Sequence, residues 1–463
     1  MQQQYELILC HAANDNELQG TELLYSPLSL AYIARHTPDH YNISMYDEYV
    51  GEPIDPDNIE ADLIAVSCLT SGVTRAYYIA DRLRKRGIYC AIGGAHATAL
   101  PDEALQHFDT VIKGEGEGPW KNFLQDFEEG KPESTYFGEM NVSLDNLGTP
   151  DRRYIHENYH IPSLLTSRGC PYSCSFCYLT VYSNRMYRPI PHETVLSDMD
   201  TLRGEPILAI TDENFIGYRK QDHEDRKELL RKMIERDYDF NWGCQASLHI
   251  AYDDELMELM YKAGCRAVFI GFEASDKDAL KSVNKKQNLN VNYKDVIKRM
   301  HKHKLAVIAS TILGLDNQDK NYHKKLIKEL KDNKADFVRV FYMTAWPGTP
   351  LYKNLLKEGR ISNDWDKLRQ DTPSLQFKNY TREEAIEARK AIMDAFFNWK
   401  MALRIIMRWF FIDRSLLGMF LKLYLRNSKS EKIRNNRAKK KLENEKQKIS
   451  GKKTYQNAVA VNK

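Results

Sequence analysis

The sequence predicts an α/β protein of two successive units with a helical appendage, and three observations carry that expectation. Apolar, β-rich runs alternate with amphipathic helical patterns in two separate series, as parallel strands joined by crossover helices do. A polar, turn-rich stretch divides the two series. At 463 residues the chain is too long for one ordinary domain and long enough to bury a sizeable core. We expect a first unit over 1–131, a connector over 132–160, a second unit over 161–365, a helical region over 366–426 and a basic tail over 427–463.

In the first series YELILCHA, YNISMYD, ADLIAVSC, YCAIGGA and DTVIKGE read as strands, with LSLAYIARHT, TRAYYIADRLRKRG and PDEALQHF as the helices between them. That order suggests a doubly wound sheet, whose ligands bind outside the carboxyl ends of the strands. Those ends carry Ser67, Thr70 and Ser71 in SCLTSGVT, then Gly93, Gly94 and His96 in GGAH, then Gly114, Glu115 and Gly116 in GEGE. Glycines there let a large planar or nucleotide-like ligand approach the backbone, although each taken singly is equally a tight turn.

The second series offers PILAITDENF, FNWGCQASL, AVFIGFEAS, LAVIASTILGL and FVRVFYMTAWPGTP as strands, with HEDRKELLRKMIER and DDELMELMYKAG among the helices. A complete or partial parallel barrel built this way places its chemistry at the C-terminal strand ends. Asp212, Glu213 and Asn214 fall at one such end, Glu273 and Ser275 at a second, and Gly314 at a third. A strand-end carboxylate is as often a helix cap as a ligand contact, so their order along the chain carries more weight than any one of them.

Cysteine usage sharpens the reading. Five of the eight cysteines (Cys10, Cys68, Cys90, Cys244 and Cys265) stand singly beside apolar strand residues and are expected as buried thiols. Cys170, Cys174 and Cys177 instead share the segment TSRGCPYSCSFCYLT, spaced C-x3-C-x2-C among turn formers that let a loop wrap its thiolates around one centre. A structural zinc normally needs four protein ligands, and no second C-x2-C pair or H-x3-H follows. A [4Fe-4S] cluster held by three thiolates keeps one iron open.

With an aromatic residue before its last cysteine, this segment resembles the signature of the radical S-adenosylmethionine (SAM) superfamily. The upstream unit, through IGGAHATALPDEAL and VIKGEGE, resembles the cobalamin-binding domain fused to such barrels in the B12-type members. The resemblance implies a [4Fe-4S] cluster on Cys170, Cys174 and Cys177, and SAM held by Asp212, Glu213, Asn214, Glu273, Ser275 and Gly314. It also implies cobalamin near Ser67, Thr70, Ser71, Gly93, Gly94, His96, Gly114, Glu115 and Gly116. Two departures stand out: no D-x-H-x-x-G phrase supplies a cobalt-ligating histidine, and Gly314 is followed by Leu315-Asp316-Asn317-Gln318 where relatives often carry Pro and then Glu-Thr. By the same resemblance one SAM methylates cobalamin, a second yields a 5'-deoxyadenosyl radical, and an unactivated substrate carbon takes the methyl group. Oxidative cyclisation of a tetrapyrrole and a nonenzymatic iron–sulfur or cobalamin sensor are the alternatives. A low-potential donor such as flavodoxin or ferredoxin is the implied electron source.

Lys and Arg total 67 against 64 Asp and Glu, so the overall charge names no partner. The N-terminus does not read as a signal peptide and no stretch is apolar enough to span a bilayer, so a cytoplasmic protein is expected. Residues 396–426 combine a wide apolar surface with a stripe of Lys400, Arg404, Arg408, Ser415, Lys422 and Arg426. Such a helix suits the inner membrane interface as well as it suits packing on the barrel or on another subunit. A basic tail adds attraction to anionic lipid, while nucleic acid is the weaker reading of the same charge. A lipid-like or polycyclic small-molecule substrate follows from the membrane reading.

Overall fold

The computed structural model describes residues 3–13, 25–139, 142–182, 185–361 and 364–414, together with 417, 418, 421 and 425. The first unit is a six-stranded, wholly parallel sheet of β1 (Tyr5–His11), β2 (Tyr41–Asp47), β3 (Leu63–Ser67), β4 (Tyr89–Gly93), β5 (Thr110–Lys113) and β6 (Thr135–Phe137). Its order is β2-β1-β3-β4-β5-β6, so the winding reverses between β1 and β3 and opens a crevice at their carboxyl ends. Helices cover both faces, which is why β1 and β3 read as unbroken apolar runs. Alternate residues split between two cores: Leu7, Leu9, Leu63 and Ala65 pack under Trp120 and Phe123, while Ile8, Cys10, Ile64 and Val66 belong to a core continuous with the second unit.

The second unit is a six-stranded parallel sheet of β7 (Ser163–Leu164), β10 (Ile207–Ile210), β11 (Asn241–Ala246), β12 (Cys265–Glu273), β13 (Ala306–Leu313) and β14 (Phe337–Tyr342), in that spatial order. β7 and β14 are not paired with each other, so the barrel is partial. A two-stranded antiparallel ribbon, β8 (Ser167–Arg168) with β9 (Arg188–Pro189), brackets the cysteine segment.

Two boundaries differ from the sequence reading. The segment 132–160 is not a connector throughout: β6 pairs with β5 from Val111↔Thr135 to Lys113↔Phe137 and closes the first sheet. Three residues are too few for a period-two pattern to register. The helical region is also divided. One helix runs Arg382–Phe396 and a second runs Trp399–Ile412, because Asn398 caps the second by accepting the Met401 N–H at 3.1 Å. Ser415, Lys422 and Arg426 of the expected basic stripe, and the tail from 427, lie outside the described residues.

Candidate cofactor site between the two sheets

The cysteine loop hangs from the ribbon and is pinned from below. Ser175 donates its N–H to Val283 O at 3.0 Å, and Asn284 Nδ2 reaches Ser173 O at 2.7 Å. Gln287 Nε2 lies 3.4 Å from Cys174 Sγ. Burial pushes the Cys170 thiol up to about 11 and that of Cys177 up to about 12, so iron binding must displace protons from these thiols. Among the described residues no three His, Cys, Asp or Glu side chains converge as one metal ion requires. Three thiols on one loop are one ligand short of a closed zinc site, and they match the donor set that leaves one iron of a [4Fe-4S] cluster open. The five solitary cysteines are buried, as expected.

A cavity of about 470 Å³ lies between the carboxyl ends of the two sheets, within the size range of cofactor sites. Ser67, Gly93, Gly94, Gly114, Glu115 and Gly116 line it from the first unit; Arg168, Gly169, Thr211 and Glu213 line it from the second. Gly94 stands at φ +96°, and a Cβ there would sit 3.1 Å from Cys68 O. Gly114 stands at φ +80°, where a Cβ would come within 2.6 Å of Gly138 O. Both glycines are thus required by close packing on neighbouring backbone, and with Gly93 and Gly116 they give the cavity a stretch of wall without side chains, which fits a broad ligand such as cobalamin.

The comparisons agree with that geometry. Residues 21–124 match the family model described as B12 binding domain, and residues 164–330 match the Radical SAM superfamily. The chain is 30% identical to the bacteriochlorophyllide d C-12(1)-methyltransferase of Chlorobaculum tepidum, over 74% of this chain and 76% of that protein. It belongs to the B12-binding radical SAM family. Further relatives are the hopanoid C-2 methylase of Rhodopseudomonas palustris, at 26% identity over 73% of this chain and 66% of that protein, and the anaerobic magnesium-protoporphyrin IX monomethyl ester cyclase of Cereibacter sphaeroides, at 25% over 80% and 66%. The cobalamin-dependent radical enzyme OxsB shares the fold, with a TM-score of 0.65 at 16% identity over 93% of this chain and 72% of that one.

As a member of this family the protein is a radical SAM enzyme, and its two domains imply a [4Fe-4S] cluster, SAM and cobalamin as its cofactors. Bound, they supply an adenosyl radical and a transferable methyl group, while the chain orients and screens them.

The strand-end residues divide by role. Asp212 is fully buried and accepts from Thr166 N at 2.7 Å, Thr166 Oγ1 at 2.6 Å and Ser167 Oγ at 2.6 Å, so it braces the ribbon instead of facing a ligand. Asn214 is likewise spent, donating to Gly217 O at 2.8 Å and accepting from Ser247 N at 3.0 Å. Glu213 lines the cavity and accepts the Gly169 N–H at 3.0 Å, with burial pushing its carboxyl above the ordinary range. Glu273, at φ +60°, pairs with Lys285 Nζ at 2.8 Å beside the cysteine loop. Ser275 borders a separate recess with Lys277 and Asn288. Gly314 stands at φ +97° with its N–H 2.8 Å from Gln318 Oε1, and the Phe377 ring lies where a Cβ would point. Gln318, part of the departure from the family pattern, thus secures the turn itself.

Three expected cobalamin contacts do not reach the cavity. Thr70 and Ser71 are buried in the turn that starts the helix Val73–Lys85. His96 is fully buried, 3.3 Å from both Tyr77 Oη and Glu103 Oε1, with its ring edge against Trp365. Sequence reasoning also missed a polar chain that reaches the cavity: Ser29 lines it, with its Oγ 3.1 Å from His11 Nε2, and His11 Nδ1 lies 3.2 Å from Asp47 Oδ2. These residues sit in separate strands and a helix start, so no local motif marks them.

Proposed function

We propose that the enzyme methylates an unactivated carbon of a hydrophobic, polycyclic or lipid-like molecule while resting on the inner membrane surface. The observation carrying this reading is that Gly169, next to Cys170, lines the same cavity as the strand-end glycines of the first unit, together with the outward face of the helix Trp399–Ile412. That helix buries Met401, Ile405 and Trp409 on the barrel but leaves Trp399 71% and Phe411 84% exposed, beside Leu403, Met407 and Phe410. Lys400, Arg404 and Arg414 accompany them. A helix already docked by one face and apolar with basic residues on the other suits an anionic bilayer. No described helix is long and apolar enough to cross a membrane.

Anaerobic enzyme reconstituted with iron, sulfide and hydroxocobalamin should release 5'-deoxyadenosine from SAM and a strong reductant, and Cys170→Ala, Cys174→Ala or Cys177→Ala should each abolish it. Methyl-labelled SAM with a tetrapyrrole or polycyclic lipid should yield labelled product; unlabelled, ring-closed product would instead establish a cyclase. Cosedimentation with vesicles containing anionic lipid should fall at least tenfold in Trp399→Asp/Phe411→Asp, and a wild type that never sediments would overturn the membrane reading. A flavodoxin or ferredoxin is the proposed physiological reductant.

A further inference from the structure

The GEGE turn after β5 was read from sequence as a cobalamin contact, yet its carboxylates are turned toward the other unit. Glu117 receives a two-pronged contact from Arg168, with NH2 at 2.6 Å from Oε1 and NH1 at 3.2 Å from Oε2. Glu115 receives the Arg188 guanidinium, with NH1 at 3.2 Å from Oε2, and lies 3.4 Å from Arg168 NH1. All four side chains are nearly withdrawn from water, none exposing more than 15%.

The placement of the two arginines is the unusual feature. Arg168 and Arg188 are directly opposite each other on the β8–β9 ribbon. Like charges facing across a strand pair repel, and burial strengthens the repulsion. The ribbon closes because two glutamates of the other unit sit against the two cations and balance their charge. Arg168 is also two residues before Cys170, and on the far side of the loop Tyr182 Oη donates to Gly114 O at 2.9 Å. Both ends of the cysteine loop are thus tied to one turn of the cobalamin-binding sheet. Burial alone would push the Glu117 carboxyl up, but Arg168 beside it more than offsets this and keeps it ionised.

Stability does not require this construction, since well-packed apolar residues in place of a buried ion pair are often as stable or more so. A forked arginine–carboxylate contact contributes direction instead, fixing register to within the length of a hydrogen bond. We propose that Glu115, Glu117, Arg168 and Arg188 form a positioning device that sets the iron–sulfur cluster at one distance and angle from cobalamin, by making closure of the cluster-bearing ribbon depend on the GEGE turn. The four residues position the cofactors' supports and do not react.

The decisive measurement is pulsed electron paramagnetic resonance of the reconstituted holoenzyme, reading the dipolar coupling between cob(II)alamin and the reduced cluster. Single removals such as Arg168→Met strand a buried charge and can cost the fold, so the double variant Arg168→Met/Glu117→Gln, which removes both charges, is the informative one. Glu117→Asp, which keeps the charge and shortens its reach, is the second. Iron and cobalamin contents are measured in every sample and the coupling is read on the fraction carrying both; we expect a narrow coupling in wild type and a broadened or shifted one in the variants, more so in the double. The same coupling in all three proteins would overturn the proposal. Failure of the broader functional reading would look different, as wild-type enzyme that loads both cofactors yet forms no 5'-deoxyadenosine.

Discussion

At Gly94 the backbone stands at φ +96° against Cys68 O, so a side chain there is strained before any ligand arrives. Gly94→Ala should lower stability by about 1–3 kcal/mol, seen as a fall in Tm, and should weaken hydroxocobalamin binding measured by absorption titration; unchanged binding with a lowered Tm would make this glycine a turn residue only. Residue identity singles out candidates wherever the signal is local. The three cysteines and the strand-end glycines could be picked out because spacing and the absence of a side chain act at their own positions. It was a poor guide to polar side chains. Asp212, Asn214 and His96 stand in the expected places and point elsewhere, because their partners come from Thr166, Ser247 and Glu103, which lie far away in sequence or on another element.

Among the elements, the helix Trp399–Ile412 shows how a candidate membrane helix is also a packed one. Asp336, fully buried, accepts from His301 Nε2 at 2.7 Å, Val307 N at 2.9 Å, Arg408 NH1 at 2.6 Å and Trp409 Nε1 at 3.1 Å, and so clasps the helix to the barrel. Burial by itself would raise this carboxyl, but His301 and Arg408 outweigh it and hold it below the ordinary carboxylate range. A depressed folded value means that the clasp contributes fully above the unfolded pKa of about 3.9 and is lost as pH falls through the lower folded one. The helix should therefore stay docked throughout mildly acidic solution. The difference in fluorescence between wild type and Trp409→Phe should stay constant down to about pH 4 and collapse below it; collapse well above pH 4 would show that the Asp336 carboxylate is not what holds the helix. Asp336→Ala should cost roughly 3–5 kcal/mol, as breaking a buried pair does, measured by denaturant unfolding. The same periodicity fits both a docked helix and a surface-seeking one. One face of the helix is docked on the barrel, and the other is the face proposed for the membrane.

For the whole molecule, the controlling feature is the contiguous core that runs from Ile8 and Val66 of the first sheet through Leu164 and Ile210 of the second to Trp409 of the terminal helix. Two units sharing one core and a buried charge network should melt together. Calorimetry of the cofactor-free protein should show one cooperative transition, whereas two well-separated peaks would mean that the interface contributes little. The first unit nevertheless runs past 131, because its sheet is completed by β6, three residues from the stretch that composition marks as linker.

What the sequence determined by itself was the class of fold and the class of chemistry. Alternation of strand and helix patterns dictates parallel sheets, and three closely spaced thiols among turn residues specify a metal loop, since both signals are carried by neighbours along the chain. Only the tertiary structure decided which strand-end groups face the cavity, that the GEGE carboxylates grip the ribbon of the second unit, and that one helix is both clasped and exposed. Those outcomes depend on distances between residues remote in sequence, and a buried charge turns toward whichever opposite charge the fold brings within reach.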